Sequence, residues 1–162
     1  RYPDDVQGRF NLGHGLMEDD RPAEAIEQFE QVLQREPSRY SAHHWMAQCA
    51  RNLGDAAAAH QHTQAYLFGQ AWSRHEAGQW EEAEARYRKL LQQYPGHVQA
   101  RFNLAHGLMK HDRPREAIIE FQDVLQREPQ RMSTHAWLAE CYEAAGDEEN
   151  ATRHRSRYEA GR

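Results

Sequence analysis

The sequence predicts an all-α fold in which helical hairpins stack side by side as a solenoid, and three observations carry that expectation. One block of sequence returns later in the chain without a gap. Within the block, apolar residues recur at helical spacing. Between those runs, glycine, aspartate and proline punctuate the chain. The composition agrees. Hydrophobic residues make up 39% and charged residues 28% of the 162, which is polar for a compact globule but suits a solenoid, where each repeat buries only the faces that touch its neighbours. Disorder is excluded by the regular apolar spacing along the whole length.

The duplication comes first. Arg9-Phe-Asn-Leu-Gly-His-Gly-Leu-Met17 returns, 92 residues on, as Arg101-Phe-Asn-Leu-Ala-His-Gly-Leu-Met109. At the same offset Val32-Leu-Gln-Arg-Glu-Pro37 matches Val124-Leu-Gln-Arg-Glu-Pro129. His43, Trp45, Cys49, Gly54 and Asp55 match His135, Trp137, Cys141, Gly146 and Asp147, and Tyr2-Pro3 matches Tyr94-Pro95. From Arg9 to Asp55 the two copies are about 60% identical. An ancestral unit of 92 residues has duplicated.

A shorter pattern lies inside that unit. Leu12, Gly13 and Leu16 are followed by Ala25, Phe29, Val32 and Pro37; the same order recurs at Leu104, Ala105, Leu108, Ala117, Phe121, Val124 and Pro129; a third set runs Ala71, Ala83, Tyr87, Leu90, Pro95. Leu12, Leu16 and Met17 fall on one helical stripe, and Ala25, Phe29, Val32 and Leu33 on the facing stripe of a second helix. Gly13 and Ala25 lack bulk where the two axes must approach. Asp19 or Asp20 is placed to cap the second helix, with Pro22 in its first turn. Gly54-Asp55 and Gly146-Asp147 each supply a helix stop and the next N-cap. Pro37, Pro95 and Pro129 end the second helices. The resulting helices are 6–18, 22–35, 40–53, 56–77, 80–93, 98–110, 114–127, 132–145 and 148–160.

These residues closely resemble the tetratricopeptide repeat, a helical hairpin of about 34 residues with small side chains at fixed crossing points. The resemblance covers nearly the whole chain and implies a right-handed solenoid of hairpins. It divides the chain into a first unit, 1–97, with hairpins 6–37, 40–66 and 64–95, and a second, incomplete unit, 98–162, with hairpins 98–129 and 132–160. One stretch departs from the pattern. Gly54 and Gly78 lie closer together than the repeat length, so residues 56–77 form an irregular long helix, either straight and shared by two hairpins or kinked near Phe68-Gly69. An odd helix count would reverse the direction of every later helix. The chain opens on Arg1 and on the tail of a repeat, so it reads as a piece of a longer array whose uncapped ends favour homo-oligomers.

In this family the first helix of each pair lines the concave face. The resemblance therefore implies a partner-binding surface of Phe10, His14 and Met17; His44, Gln48 and Arg51; Phe68, Trp72 and His75; and Phe102, His106 and Met109. Aromatic and arginine side chains are the usual anchors of protein interfaces, and methionine adapts to varied partners. The competing reading is that these residues only pack between helices. One family subtype clamps the acidic C-terminus of chaperones with Lys, Asn and Arg at such places. Here Phe10, His14, Phe68 and Trp72 stand there, so an extended or helical segment with apolar side chains is the implied ligand.

Other functions find no support. A net charge of −5 without a Lys/Arg run gives no electrostatic footprint for nucleic acid. The helical segments are too interrupted by charge for membrane insertion, and the sequence leaves the compartment open. Cys49 and Cys141 occupy equivalent places in a stack, too far apart to bridge, and read as buried packers. Eleven histidines invite a metal, but His60 and His62 point to opposite sides of a helix, His43 and His44 are adjacent, and no H-x-x-x-H or C-x-x-C occurs, so no metal or cofactor is expected. The histidines would make partner binding sensitive to pH near 6.5. Glu81-Glu82 and Asp19-Asp20 sit at helix starts, where the dipole favours them, and no nucleophile elbow or phosphate loop is present, so no enzyme is expected. The leading function is a protein-interaction scaffold that holds a polypeptide segment. The alternatives are a substrate-recruiting arm of a larger enzyme, such as a transferase, and a self-assembly module.

Overall fold

The computed structural model describes residues 5–161, and among these it holds nine α-helices and no strand. They are α1 (Val6–Glu18), α2 (Pro22–Arg35), α3 (Tyr40–Asn52), α4 (Ala56–Glu76), α5 (Trp80–Gln93), α6 (Val98–Lys110), α7 (Pro114–Arg127), α8 (Met132–Ala144) and α9 (Glu148–Ala160). Every boundary lies within one residue of the sequence expectation, because the stop signals are strong and local. Gly54, Gly78 and Gly146 end α3, α4 and α8 in the left-handed region, at φ 77°, 71° and 80°, where glycine carries no steric penalty. Asp55 and Asp147 then cap the next helix, each accepting from the backbone N–H three residues on.

The turn between α1 and α2 differs from expectation. Neither Asp19 nor Asp20 caps α2, whose N-cap position is Arg21 without a side-chain cap. Asp20 takes instead the role of a glycine, at φ 56°, and Asp112 does the same in the copy. The Arg21 N–H closes back on the Leu16 carbonyl at 2.8 Å, and Arg113 on Leu108 at 2.9 Å. A short polar side chain is among the few that tolerate this backbone.

The chain divides into two compact units, Arg1–Ala77 with α1–α4 and Gly78–Arg162 with α5–α9. In the first, α1 packs on α2, α2 on α3 and α3 on α4, and α1 also reaches α3. Its core is Leu16, Ala25, Phe29, Val32, Ala42, Met46 and Cys49. Small residues set the approach of the helices. A Cβ on Gly13 would lie 2.8 Å from the Phe29 ring, and one on Gly69 only 1.8 Å from that of Tyr40. Gly69 is therefore a crossing point between α3 and α4, not a kink, and α4 runs unbroken from Ala56 to Glu76. Leu12, expected on the inward stripe, is 52% exposed, because no helix of this unit lies over that side of α1.

In the second unit α5 packs on α6, α6 on α7, α7 on α8 and α8 on α9. Tyr87, Leu90, Leu104, Leu108, Phe121, Val124 and Leu138 are fully buried. Ion pairs brace α5 to α7. Arg113 holds Glu84 at 2.6 Å and Glu116 at 2.7 Å, and Arg88 bridges the same two carboxylates. Arg101 ties α6 to Glu120 and Asp123 of α7 at 2.7 and 2.6 Å.

Candidate partner-binding surface

Helices α1, α3 and α4 carry the first nine expected surface residues, all partly buried except the exposed Arg51. The structure joins the α1 and α3 groups through a residue outside the expected set. His14 stands edge-on to Trp45 at 4.1 Å, Trp45 meets His44 at 5.0 Å, and His44 meets Tyr66 of α4 at 4.9 Å. Phe10 packs on His14 and, edge-on, on the buried Phe29, with the Arg39 guanidinium over its other face at 4.4 Å. Met17 packs against the core. Arg51 donates to Gln48 on its own helix and to Thr63 on α4, at 3.0 and 2.9 Å.

Phe68, Trp72 and His75 form a run along α4. The rings of Phe68 and Trp72 are nearly parallel, 6.5 Å apart, and His75 lies edge-on to Trp72 at 5.5 Å. Phe68 also leans on Tyr40 at 6.5 Å. Helical i, i+4 and i+3 spacing accounts for the order of the three.

The second unit rebuilds the first group in place. Phe102 is edge-on to Phe121 at 5.5 Å under the Arg131 guanidinium at 4.2 Å, and His106 meets Trp137 at 4.6 Å. Lys110 brings its ammonium to 5.5 Å from the Trp137 ring. Met109 is half-buried beside them on α6. The polar part does not repeat. Gln48 and Arg51 are replaced by Glu140 and Glu143, and Arg155 pairs with Glu143 at 3.0 Å where Thr63 took the arginine's bond. The Phe, His and Trp rings are common to the two units, Ala136 stands in place of His44, and the charge beside the rings is reversed.

Two histidine pairs lie beyond the reach of the sequence patterns. His43 Nδ1 lies 3.1 Å from His62 Nδ1, between α3 and α4, and His135 Nδ1 lies 2.8 Å from His154 Nδ1, between α8 and α9. Such a contact requires one ring to donate and the other to accept, so at least one member stays neutral. Burial, and then the neighbouring His62 charge, holds His43 below the usual histidine range; burial likewise lowers His62 against the upward pull of Glu30 and Asp55. Burial and the charges of His135, Arg157 and Arg153 bring His154 down to about 4. The partners lie 19 residues apart on different helices, which hides them from any local motif. Their joint return at the duplication offset is the one signal that points to them.

Among the described residues, no group of three or more His, Cys, Asp or Glu is placed to hold a metal ion, and no helix is long and apolar enough to cross a membrane. Cys49 and Cys141 are free and buried. Burial raises both thiols, Cys141 to about 12, so they stay protonated and unreactive at neutral pH.

Residues 16–69 and 74–133 match the family model described as tetratricopeptide repeat. The chain belongs to the tetratricopeptide repeat family. Proteins of this repeat family are generally non-catalytic interaction modules. Solved structures agree on the fold. MamA of AMB-1 is 17% identical at a TM-score of 0.62, over 97% of this chain and 98% of that one. YrrB, titled a TPR protein with an unusual peptide-binding site, is 13% identical at 0.60, over 99% and 88%. PilF of Pseudomonas aeruginosa is 18% identical at 0.57, over 97% and 76%. No curated protein matches the sequence.

Proposed function

We propose that this tetratricopeptide repeat chain is an interaction scaffold that holds a segment of another polypeptide against the ring framework of its first helices. The observation that carries the reading is the same partly buried set built twice, Arg39 over Phe10 with His14 against Trp45, and Arg131 over Phe102 with His106 against Trp137. Rings already fixed by their neighbours lose little freedom when a partner arrives, so more of the contact energy is left for affinity. In the first unit, Trp72 and His75 extend the aromatic surface along α4, and Arg51 adds a cation. The fitting ligand is an extended or helical segment with apolar side chains and, beside Arg51, an acidic one. The reversed charge in the second unit selects a basic residue at the equivalent place.

Selection from a random peptide library displayed on phage, with the full chain as bait, tests this. Enriched peptides should share an apolar pattern, and a Trp72→Ala/Arg51→Glu double variant should bind them at least about ten-fold more weakly with helicity unchanged. No enrichment over an unrelated helical protein, or equal affinity for the double variant, would count against the proposal.

A further inference from the structure

A cleft of about 490 Å³ opens in the second unit between α7 and α9, with Tyr142 of α8 in its lining, and it uses none of the residues of the ring framework. The Tyr142 ring lies nearly parallel to that of His154, 5.5 Å away, and His154 in turn meets His135, so the phenol is fixed in place. The Gln122 amide donates to the Tyr142 hydroxyl at 2.7 Å, which leaves the phenolic hydrogen to donate elsewhere. Beside it α9 presents Arg153 and Arg157, one helical turn apart and both exposed. Among the described residues neither is paired with a carboxylate, whereas Arg155, on another side of the helix, is held by Glu143 at 3.0 Å. The cleft thus gathers two guanidinium groups and an O–H donor, and its lining contains no acid. In a chain of net charge −5 acid is the group in surplus, so two bases left unpaired in one cleft call for an anion from outside.

The duplication shows that this character belongs to the second unit and not to the repeat. Leu33, Gln34 and His62 match Leu125, Gln126 and His154, but Glu30 stands for Gln122, Ala50 for Tyr142, Gln61 for Arg153 and Ala65 for Arg157. On the same ridge of α7, three residues before Gln122, Ile119 replaces Glu27 and is 65% exposed. Every one of these exchanges that alters charge makes the second cleft the more positive. A longer α9 would not close it. In the first unit α4 runs past Ala65 to Glu76, and Gln61, the counterpart of Arg153, is exposed there.

We infer that the α7–α9 cleft is a docking site for an acidic segment of another polypeptide, with Arg153 and Arg157 taking carboxylates one helical turn apart, Tyr142 donating to one of them, and an apolar side chain of the segment resting on Ile119. Guanidinium groups suit carboxylates because each offers paired donors in a plane. The site shares no residue with the ring framework, so it stands or falls apart from that proposal.

The probe is a fluorescent helical peptide with two glutamates one turn apart and a leucine one turn before them, titrated into the full chain at low salt and followed by anisotropy. Saturable binding of one peptide per chain is expected, weakening as salt is added. Arg153→Glu/Arg157→Glu should weaken it at least about ten-fold; both side chains are exposed, so helicity should be unchanged. Tyr142→Phe and Ile119→Glu should each weaken it about three-fold or more, and Trp72→Ala/Arg51→Glu should leave it as it was. The peptide with glutamine for both glutamates should not bind. No saturable binding, equal affinity for the glutamine peptide, or indifference to Arg153→Glu/Arg157→Glu overturns the inference. Tighter binding of a single-stranded oligonucleotide than of the peptide would also overturn it, assigning the cleft to nucleic acid.

Discussion

Helices α1 and α6 are nearly the same peptide in two environments. Phe-Asn-Leu-Gly-His-Gly-Leu-Met in one reads Phe-Asn-Leu-Ala-His-Gly-Leu-Met in the other. Both form helices of 13 residues and both dock on the helix that follows. Yet α1 buries two of its residues and α6 buries six. The difference is made by α5, which covers α6 in the second unit. Local sequence decides that a helix forms and where it stops; the neighbour in space decides which of its faces becomes core. A burial pattern read from one hairpin therefore holds for the side facing its own partner helix and not for the other side.

Substitutions at matched positions test this contrast. Leu104→Ala opens a cavity under α5 and should lower stability by about 2–5 kcal/mol, whereas Leu12→Ala should stay within about 0.5 kcal/mol of the parent; urea unfolding of the two variants measures the difference. Equal losses would mean that α5 does not seal α6. The glycines should respond with opposite sign. Gly107→Ala drives a methyl into the Trp80 ring and should destabilise by about 1–3 kcal/mol, while Gly15→Ala, in open space, should stabilise by about 0.5–1 kcal/mol.

The histidine pairs extend the comparison to pH. His154 is the most depressed, to about 4, so the unfolded chain binds its proton first as pH falls. Stability is then fully present above the unfolded value of about 6.5 and is lost progressively from there down to about 4. A Tm lower by several degrees at pH 5 than at pH 7.5 is expected, and His154→Gln should flatten that dependence more than His62→Gln does. A Tm independent of pH across this range would contradict the pairing. The smallest effect belongs to the left-handed turns. Asp20→Gly and Asp112→Gly should each raise the Tm slightly, by a degree or two on the order of half a kcal/mol, since glycine adopts φ 56° without strain.

Much of the fold is legible in the sequence because its signals are short-range. Gly54, Gly78 and Gly146 mark helix ends, and the 92-residue echo by itself exposes the repeat. The surface is legible in part. Its twelve expected residues follow from the family resemblance counted in helical register; the structure links those on α1 to those on α3 through Trp45, and pairs His106 with Trp137. Trp45 and Trp137 fall between the register positions, so register misses them, though both recur in the duplication. The role of Gly69 is hidden for a different reason. Its space is occupied by Tyr40, 29 positions earlier, and no local pattern reports a crossing of two helices.

Hydrogen exchange resolved to individual helices measures the central contrast directly. Amides of α6 should exchange at least about ten-fold more slowly than their equivalents in α1, with the gap largest at Asn103, Leu104 and Gly107 against Asn11, Leu12 and Gly15. Equal protection of the two helices would contradict the claim that near-identical sequence is set apart here by a covering neighbour.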